Sequence, residues 1–180
     1  MTIITDEQVA YINNGGVIAY PTSTLPGLGC LPTKEGLDTL FKLKSRSSDK
    51  PVSIGVASLD QVAHMVDIDP RIVEFIDAFP RGGLSVIYPA HQPLDNRIGG
   101  QFVAIRVFDH PSARALALAV GPVTATSANE AGEEPANTVA EAASELGLPD
   151  VAVVEGSRET GPGSTFVKID FDSVEPLVTI

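Results

Sequence analysis

Short apolar runs of strand length alternate with helix-start signals along the whole sequence, and this alternation limits the fold class. The predicted strands cover residues 17–20, 52–57, 84–88, 102–107, 123–126, 151–154, 165–169 and 174–180. Several runs are unbroken and rich in β-branched residues, a pattern that favours strands covered on both faces. Because helices and strands interleave, the sequence predicts an α/β fold with a mixed, largely central sheet and helices packed on it.

Capping signals mark the predicted helix starts. In Thr5-Asp6-Glu7-Gln8, a hydroxyl residue is followed three positions later by glutamine. This capping box predicts a helix that runs to about Asn14, where two glycines follow. Further helix starts of this kind, or with proline at the first helical position, are predicted at Thr33, Ser58, Asp69, His110 and Thr138.

The composition is that of a globular, acidic chain. Of 180 residues, 43% are apolar, and 12 Lys plus Arg against 23 Asp plus Glu give a net charge of −11. The length and the lack of repeats or linkers predict a single domain over residues 1–180. The apolar runs are shorter than the roughly 20 residues of a membrane span, and no secretory signal is visible, so we expect a cytoplasmic protein. The acidic balance argues against non-specific DNA coating, which needs clustered Lys and Arg.

Disulfide and metal chemistry are not indicated by the cysteine and histidine pattern. The single cysteine, Cys30, excludes an intramolecular disulfide and is better interpreted as a small core residue. His64, His91 and His110 lie far apart without ligand spacing, so we expect no metal site. His110 precedes a helix-starting proline, which fits a capping role.

A local reversal of charge stands out in this acidic chain. Lys42, Lys44, Arg46 and Lys50 lie close together in residues 42–50, opposed only by Asp49. Lysine offers a compact charge and arginine a planar fork, and together they suit a polyphosphate. The alternative is a solvated surface loop, which is what most charged runs are.

Three segments rich in small polar residues border predicted strands, at residues 21–30, 124–129 and 161–165. Such residues at strand ends are where α/β proteins hold ligands, and glycine allows a ligand to approach the backbone closely. The alternative is that these are structural turns whose side chains bond their own backbone. Arg106 adds a charge inside an apolar run, so it needs an anionic partner, either a structural carboxylate or a substrate carboxylate.

The order of these segments resembles that of a known family. The similar segments are residues 15–24 (its opening strand and Pro-Thr-x-Thr loop), 44–46 (Lys-x-Arg), 80–85 (Pro-Gly-Pro-x-Thr), 104–111 (Val-Arg…His-Pro), 126–129 (Ser-Ala-Asn) and 163–167 (Ser-Thr-Val). Together they resemble the YrdC family, whose active members are threonylcarbamoyl-AMP synthases. The resemblance implies a YrdC-like twisted sheet with a concave ligand cleft, in the short form without a second domain.

The resemblance also implies an activity and a set of site residues. L-threonine, bicarbonate and ATP would give threonylcarbamoyl-AMP and pyrophosphate, and the product would serve threonylcarbamoyladenosine formation in tRNA. The residues implied for ATP binding are Lys44, Arg46, Lys50, Ala125, Ser127 and Asn129, with Lys44 and Arg46 also catalytic. Those implied for threonine binding are Thr22, Thr24, Arg106 and Ser164. Mg²⁺ would arrive with ATP, on phosphate oxygens and without a dedicated protein site.

Departures from the family pattern keep other functions open. Leu25-Pro26-Gly27 stands where the family has an aromatic residue and then glycine, and Gly55 stands near a position where many members have histidine. One alternative is therefore a related carbamoyl-adenylate enzyme with another substrate. A second is a non-catalytic RNA-binding module on the same fold, in contact with tRNA or double-stranded RNA. In the synthase hypothesis, the expected partners are tRNA-modifying enzymes that act later.

Overall fold

Eight strands and five α-helices occur in residues 4–80, 82–157, 163–170 and 177–179, the ranges that the computed structural model describes. The strands are β1 (Ile18–Tyr20), β2 (Gly27–Gly29), β3 (Ser53–Val56), β4 (Leu84–Pro89), β5 (Phe102–Val107), β6 (Val123–Ser127), β7 (Thr165–Asp170) and β8 (Leu177–Thr179). The α-helices are α1 (Asp6–Asn13), α2 (Lys34–Leu43), α3 (Pro70–Asp77), α4 (Pro111–Val120) and α5 (Val139–Glu145). Within these ranges, none of the helices has the length and apolar character that a membrane crossing requires.

The strands join one mixed sheet in the order β1-β2-β6-β3-β5-β4-β7-β8. β3 pairs in parallel with β5, and β4 pairs in parallel with β7, whereas the other neighbours are antiparallel. β6 lies between β2 and β3, although both precede it by a long stretch of sequence. This arrangement confirms the predicted α/β class with a mixed sheet.

The predicted capping signals begin most of the helices. At α1, Thr5 Oγ1 accepts a hydrogen bond from Gln8 N (3.2 Å), and Gln8 Oε1 accepts one from Thr5 N (3.0 Å). Thr138 and Glu141 form the same box at α5. The other confirmed starts, where a side chain accepts from a backbone N–H of the first turn, are Thr33, Asp69 and His110.

The helix predicted from Ser58 is wrong. Ser58 makes no capping hydrogen bond, and only a 3₁₀ turn follows it, over Leu59–Val62. The glutamine of the expected capping box bonds elsewhere: Gln61 Oε1 accepts from Ala57 N (2.7 Å), and Gln61 Nε2 donates to Ala117 O (2.8 Å). The side chain of Gln61, which was expected to complete the capping box, instead connects this 3₁₀ turn to α4.

Two strand expectations are also corrected. Residues 151–154 were expected to be a strand, but they contain the end of a 3₁₀ turn over Asp150–Ala152 and one isolated bridge between Val153 and Ala19. Conversely, β2 lies inside residues 21–30, where the sequence predicts only a loop. β2 pairs with β1 and with the end of β6, so it is held by tertiary partners rather than by its own strand propensity.

Two apolar clusters pack on opposite faces of the sheet. Successive strand residues alternate between them, so that Ala19 belongs to one cluster and Ile18 and Tyr20 to the other. Cys30 is fully buried in the first cluster, as predicted for a core residue. Burial raises the pKa of its thiol to about 11, which keeps the sulfur protonated and unreactive at neutral pH.

Candidate active site

A cavity of about 220 Å³ lies where the loop after β1, the approach to β3 and the ends of β6 and β7 meet beside β5. Most of the residues predicted for the site line it: Thr22, Thr24, Arg46, Arg106, Ala125, Ser127 and Ser164. The sequence separates these residues widely, and the strand order of the sheet brings them together. Lys44, Lys50 and Asn129 are not among the lining residues, and their places are different.

The loop after β1 is held in a tight turn by its own hydroxyl groups. Thr22 Oγ1 donates to Leu25 O (2.6 Å) and accepts from Thr24 N (3.1 Å). Both threonines are buried, and their hydroxyl oxygens lie 3.2 Å apart. The local bonding expected of a structural turn is therefore present, and the same turn presents both side chains to the cavity.

Arg106 supplies a buried positive charge on β5. Its Nη2 donates to Thr24 Oγ1 (2.9 Å), and its Nε donates to Gly82 O (2.9 Å). The side chain is 7% exposed, and burial lowers the pKa of its guanidinium. Within the part of the chain that the structure describes, no carboxylate forms an ion pair with it. A buried cation of this kind is suited to an anion that enters the cavity.

Arg46 provides the second cation of the lining. Its Nε donates to Lys50 O (2.6 Å), and its Nη2 donates to Pro51 O (3.0 Å), so the guanidinium folds its own loop back on itself. Partial burial lowers the pKa of this guanidinium. Lys50 contributes its carbonyl to this loop, while its side chain is exposed outside the cavity lining.

Lys44 is buried beneath the loop that follows β6. It is the C-cap residue of α2, and its Nζ donates to Ser127 O (2.6 Å) and to Asn129 O. The side chain is 1% exposed, and burial, followed by the charge of Arg46, lowers the pKa of its ammonium to about 8. Lys44 and the Ser127 loop thus meet as the sequence predicts, but through the backbone carbonyls of that loop.

Asn129 completes this loop through its side chain. Its Nδ2 donates to Glu130 O (2.9 Å) and to Glu133 O (2.6 Å). Its buried Oδ1 has no hydrogen-bond partner among the described residues. Lys44 and Asn129 therefore hold the loop after β6 through backbone carbonyls, whereas Ser127, the last residue of β6, lines the cavity.

Ser53 and Ser85, which were not predicted as site residues, form hydrogen bonds with residues of the cavity lining. Ser53 Oγ donates to Ala125 O (2.6 Å) and lines the cavity, and the buried Ser85 lies 3.1 Å from Ser164, oxygen to oxygen. Both stand inside predicted apolar strands, where a lone serine is the available signal. Of the polar segment 161–165, Gly161 and Pro162 lie outside the described residues, as does Arg81 of segment 80–85.

The ring of Phe108 fills the space beside Gly55. A Cβ at this position would lie 1.9 Å from Phe108 Cζ. The ring of Phe108 also makes an edge contact with Tyr20, with centroids 5.6 Å apart, and Tyr20 lines the cavity. Phe108 thus occupies the volume that a side chain at position 55 would need, and Tyr20 packs against Phe108.

The described ranges contain no group of three or more His, Cys, Asp or Glu side chains that could hold a metal ion. The donors that the cavity offers are hydroxyls and guanidinium N–H groups. These groups suit phosphate and carboxylate oxygens.

Comparison with known proteins gives the family. A model of the Sua5/YciO/YrdC family, described as telomere recombination, matches residues 10–177. The chain belongs to the Sua5/YciO/YrdC family. The resemblance found in the sequence is confirmed, and the Sua5/YciO/YrdC match includes every segment on which it rests.

Members of the Sua5/YciO/YrdC family similar to this chain include synthases of matching length. The threonylcarbamoyl-AMP synthase of Vibrio campbellii is 36% identical over 158 residues, 84% of this chain and 85% of the relative. That of Xanthomonas euvesicatoria is 36% identical over 168 residues, 89% and 88% of the two chains. The crystal structure of P. abyssi Sua5 complexed with L-threonine superposes with a TM-score of 0.80 at 26% identity. It matches 94% of this chain, which spans about half (51%) of the Sua5 chain.

Proposed function

We propose that this chain is a threonylcarbamoyl-AMP synthase, a nucleotidyltransferase that converts L-threonine, bicarbonate and ATP into threonylcarbamoyl-AMP, pyrophosphate and water. The threonine nitrogen first forms a bond to the carbon of bicarbonate, and water leaves to give a carbamate. A carboxylate oxygen of that carbamate then attacks the α-phosphorus of ATP, and the bond from that phosphorus to the oxygen bridging to the β-phosphate breaks, so that pyrophosphate leaves. The observation that carries the proposal is the cavity in which Arg106 and Arg46 face hydroxyl-rich loops without a carboxylate ion pair in the described chain. Its supporting evidence is the similarity to named synthases over most of the chain.

The amino-acid end of the cavity is assigned to the Arg106 side. The guanidinium of Arg106 would bind the threonine carboxylate, because it keeps N–H donors beyond those used by Gly82 and Thr24. The hydroxyls of Thr22 and Ser164 belong to the same cavity lining and would contact the bound amino acid. Thr24, already bonded to Arg106, would help to position the carbamate. The structural-carboxylate alternative for Arg106 has no support in the described residues.

The nucleotide end is assigned to the Arg46 and Ser127 side. Negative charge builds up on the leaving pyrophosphate, so a fixed cation lowers the barrier by stabilising the transition state more than the ground state. Arg46 lines the cavity and would supply this charge, and Lys50, whose exposed side chain lies outside the lining, would contact the phosphates of bound ATP. Ser127 and the backbone of Ala125 would contact the nucleotide.

Lys44 and Asn129 are assigned to ATP binding through the loop that they hold. The Lys44 ammonium fixes two loop carbonyls and adds positive potential below the nucleotide end. Catalysis then rests on alignment and electrostatics, since among the described residues no hydroxyl of the lining hydrogen-bonds to a His, Asp or Glu side chain that would activate it as a nucleophile. Mg²⁺ enters as part of the ATP complex, on phosphate oxygens.

The proposed product is an activated carbamoyl-adenylate that a later tRNA-modifying enzyme would consume, and we propose the cytoplasm as the place of this step. The test is pyrophosphate release by the purified chain with Mg·ATP, together with mass detection of threonylcarbamoyl-AMP. Release that requires threonine and bicarbonate together supports the proposal, and Arg46→Gln should reduce it strongly. Clean protein that releases no pyrophosphate under these conditions contradicts it.

A second candidate is the same chemistry on another amino acid. It is favoured by one observation: at Gly55, which pairs with Arg106, the ring of Phe108 takes the place of the side chain that many family members have there. A panel of amino acids in the same pyrophosphate assay separates the candidates. Stronger stimulation by an amino acid other than threonine would select the second.

A further inference from the structure

Two apolar side chains line the cavity together with the polar groups assigned above. Phe166 on β7 lines the cavity with its ring about half exposed (48%), and Leu25 lines it from the loop after β1. Leu25 also lies close to the chain just before β7, because its Cδ1 is 3.9 Å from the position that a Cβ of Gly163 would take. We call Leu25 and Phe166 the apolar wall.

The apolar wall adjoins the polar groups assigned to the amino-acid substrate. Phe166 on β7 and Ser164, which directly precedes β7, both line the cavity. Leu25 directly follows Thr24, and its carbonyl accepts the hydrogen bond of Thr22. A small ligand held by Arg106, Thr22 and Ser164 would therefore have the apolar wall beside it.

A second exposed phenylalanine, Phe102, shows that exposure by itself does not place a ring in the cavity lining. Phe102 on β5 is equally exposed (47%) but does not line the cavity. Its ring is covered instead by the ammonium of Lys168, whose Nζ lies 4.4 Å from the ring centroid. Phe166 has no such cation over its ring among the described residues, and it faces the cavity.

We propose that the apolar wall binds the β-methyl group of L-threonine and thereby selects threonine over serine. This inference rests on the proposed function, since the amino-acid end of the cavity is assigned there. The methyl is the apolar group that distinguishes threonine from serine, so an apolar surface beside the hydroxyl-binding groups discriminates between them. One carbon in an apolar pocket is worth about 10- to 200-fold in selectivity.

The experiment measures binding and turnover separately. Isothermal titration calorimetry gives the Kd of L-threonine and of L-serine in the presence of Mg²⁺ and a non-hydrolysable ATP analogue. Pyrophosphate release gives kcat and KM for the same amino acids. The variants are Phe166→Ala, Leu25→Ala and the conservative Phe166→Leu, with Phe102→Ala as a control of matched exposure.

We expect the unmodified chain to prefer threonine by about tenfold or more in Kd. Phe166→Ala and Leu25→Ala should each reduce this preference several-fold by weakening threonine binding, while serine binding and the KM for ATP stay the same. Phe166→Leu should retain most of the preference, and Phe102→Ala all of it.

Several outcomes overturn the inference. One is an unchanged threonine-to-serine ratio in both alanine variants, and another is the failure of either amino acid to bind. A third is a Phe166→Ala variant whose KM for ATP rises equally with both amino acids, because the ring would then stack on the purine. Selective threonine binding without pyrophosphate release would contradict the proposed function but would support the role of the apolar wall in threonine binding.

Discussion

The two buried cations of the site, Lys44 and Arg106, use their hydrogen-bond donors in different ways. Lys44 gives its ammonium to two backbone carbonyls of the loop after β6, outside the cavity lining. Arg106 gives one bond to a carbonyl and one to a hydroxyl and still faces the cavity. Neither has a carboxylate partner in the described residues. The Lys44 charge therefore stabilises the shape of the site, whereas the Arg106 charge remains available to a ligand.

Removal of the Arg106 charge should have the largest effect on activity. In Arg106→Ala, threonine-dependent kcat/KM should fall by about 100-fold or more, since loss of one partner of a buried charge pair costs about 2–5 kcal/mol. Arg106→Lys should recover little of this, because an ammonium lacks the planar fork of donors. Steady-state kinetics with thermal melts as a folding check decide the matter, and a folded Arg106→Ala enzyme with normal kcat/KM would break the comparison.

Removal of the structural charge should affect both stability and ATP use. Lys44→Met leaves the carbonyls of Ser127 and Asn129 without their donor, and a buried unsatisfied acceptor costs about 1–3 kcal/mol. We expect the free energy of unfolding to fall by about 2 kcal/mol. Most activity should be lost in a protein that remains folded, with KM raised more for ATP than for threonine.

Lys42→Met is the matched control for this change, because Lys42 lies in the same helix with an exposed side chain. Urea denaturation and substrate kinetics on both variants give the readout. If Lys44→Met matches Lys42→Met in stability and in KM for ATP, the loop-holding role of Lys44 is wrong.

The packing of Gly55 against Phe108, beside Arg106, can be tested through its effect on stability. Gly55 pairs with Arg106 across β3 and β5, and a Cβ at Gly55 would overlap the ring of Phe108. Gly55→Ala should therefore lower the free energy of unfolding by about 1–3 kcal/mol, the cost of overpacking a filled core. Combination with Phe108→Leu should recover part of that loss, and strictly additive effects in denaturant melts would show that the two positions do not compete for space.

The smallest expected effect is a pH dependence that belongs to Lys44. Its pKa is about 8 in the folded chain and ordinarily 10.5, so the unfolded chain binds more protons between these values. Stability therefore rises with pH in this window, by about 1 kcal/mol between pH 8 and 9 from this group alone. The difference between the unmodified chain and Lys44→Met, measured by urea denaturation at each pH, isolates the contribution. Parallel curves for the two proteins would contradict it.

The fold was largely predictable where short-range signals decide it. The capping boxes at Thr5 and Thr138 begin helices as expected, because side chain and backbone satisfy each other within one turn. β2 was not predictable, since two of its three residues are glycine and its strand conformation depends on β1 and β6. The box at Ser58 fails for the opposite reason, because its glutamine finds distant partners.

The candidate site was predictable as a set of residues but not as a set of contacts. Segment order indicates which residues are relevant, and most of them meet on one cavity. Sequence does not say which atom of Lys44 or Ser127 takes part, because that depends on how an 83-residue separation is closed in three dimensions. The apolar wall was not predictable for the same reason. In the sequence, Phe166 is an ordinary strand residue, and its neighbours across the sheet are not visible.

The position of β6 in the sheet has a consequence for biosynthesis. β2 and β3 emerge from the ribosome long before β6, the strand that fills the gap between them. Until residue 127 or so has been made, the nascent chain carries two strand edges without their partner, and such edges invite pairing with other chains. A ribosome stalled shortly before β6 would therefore hold a fragment prone to aggregation and in need of chaperone cover.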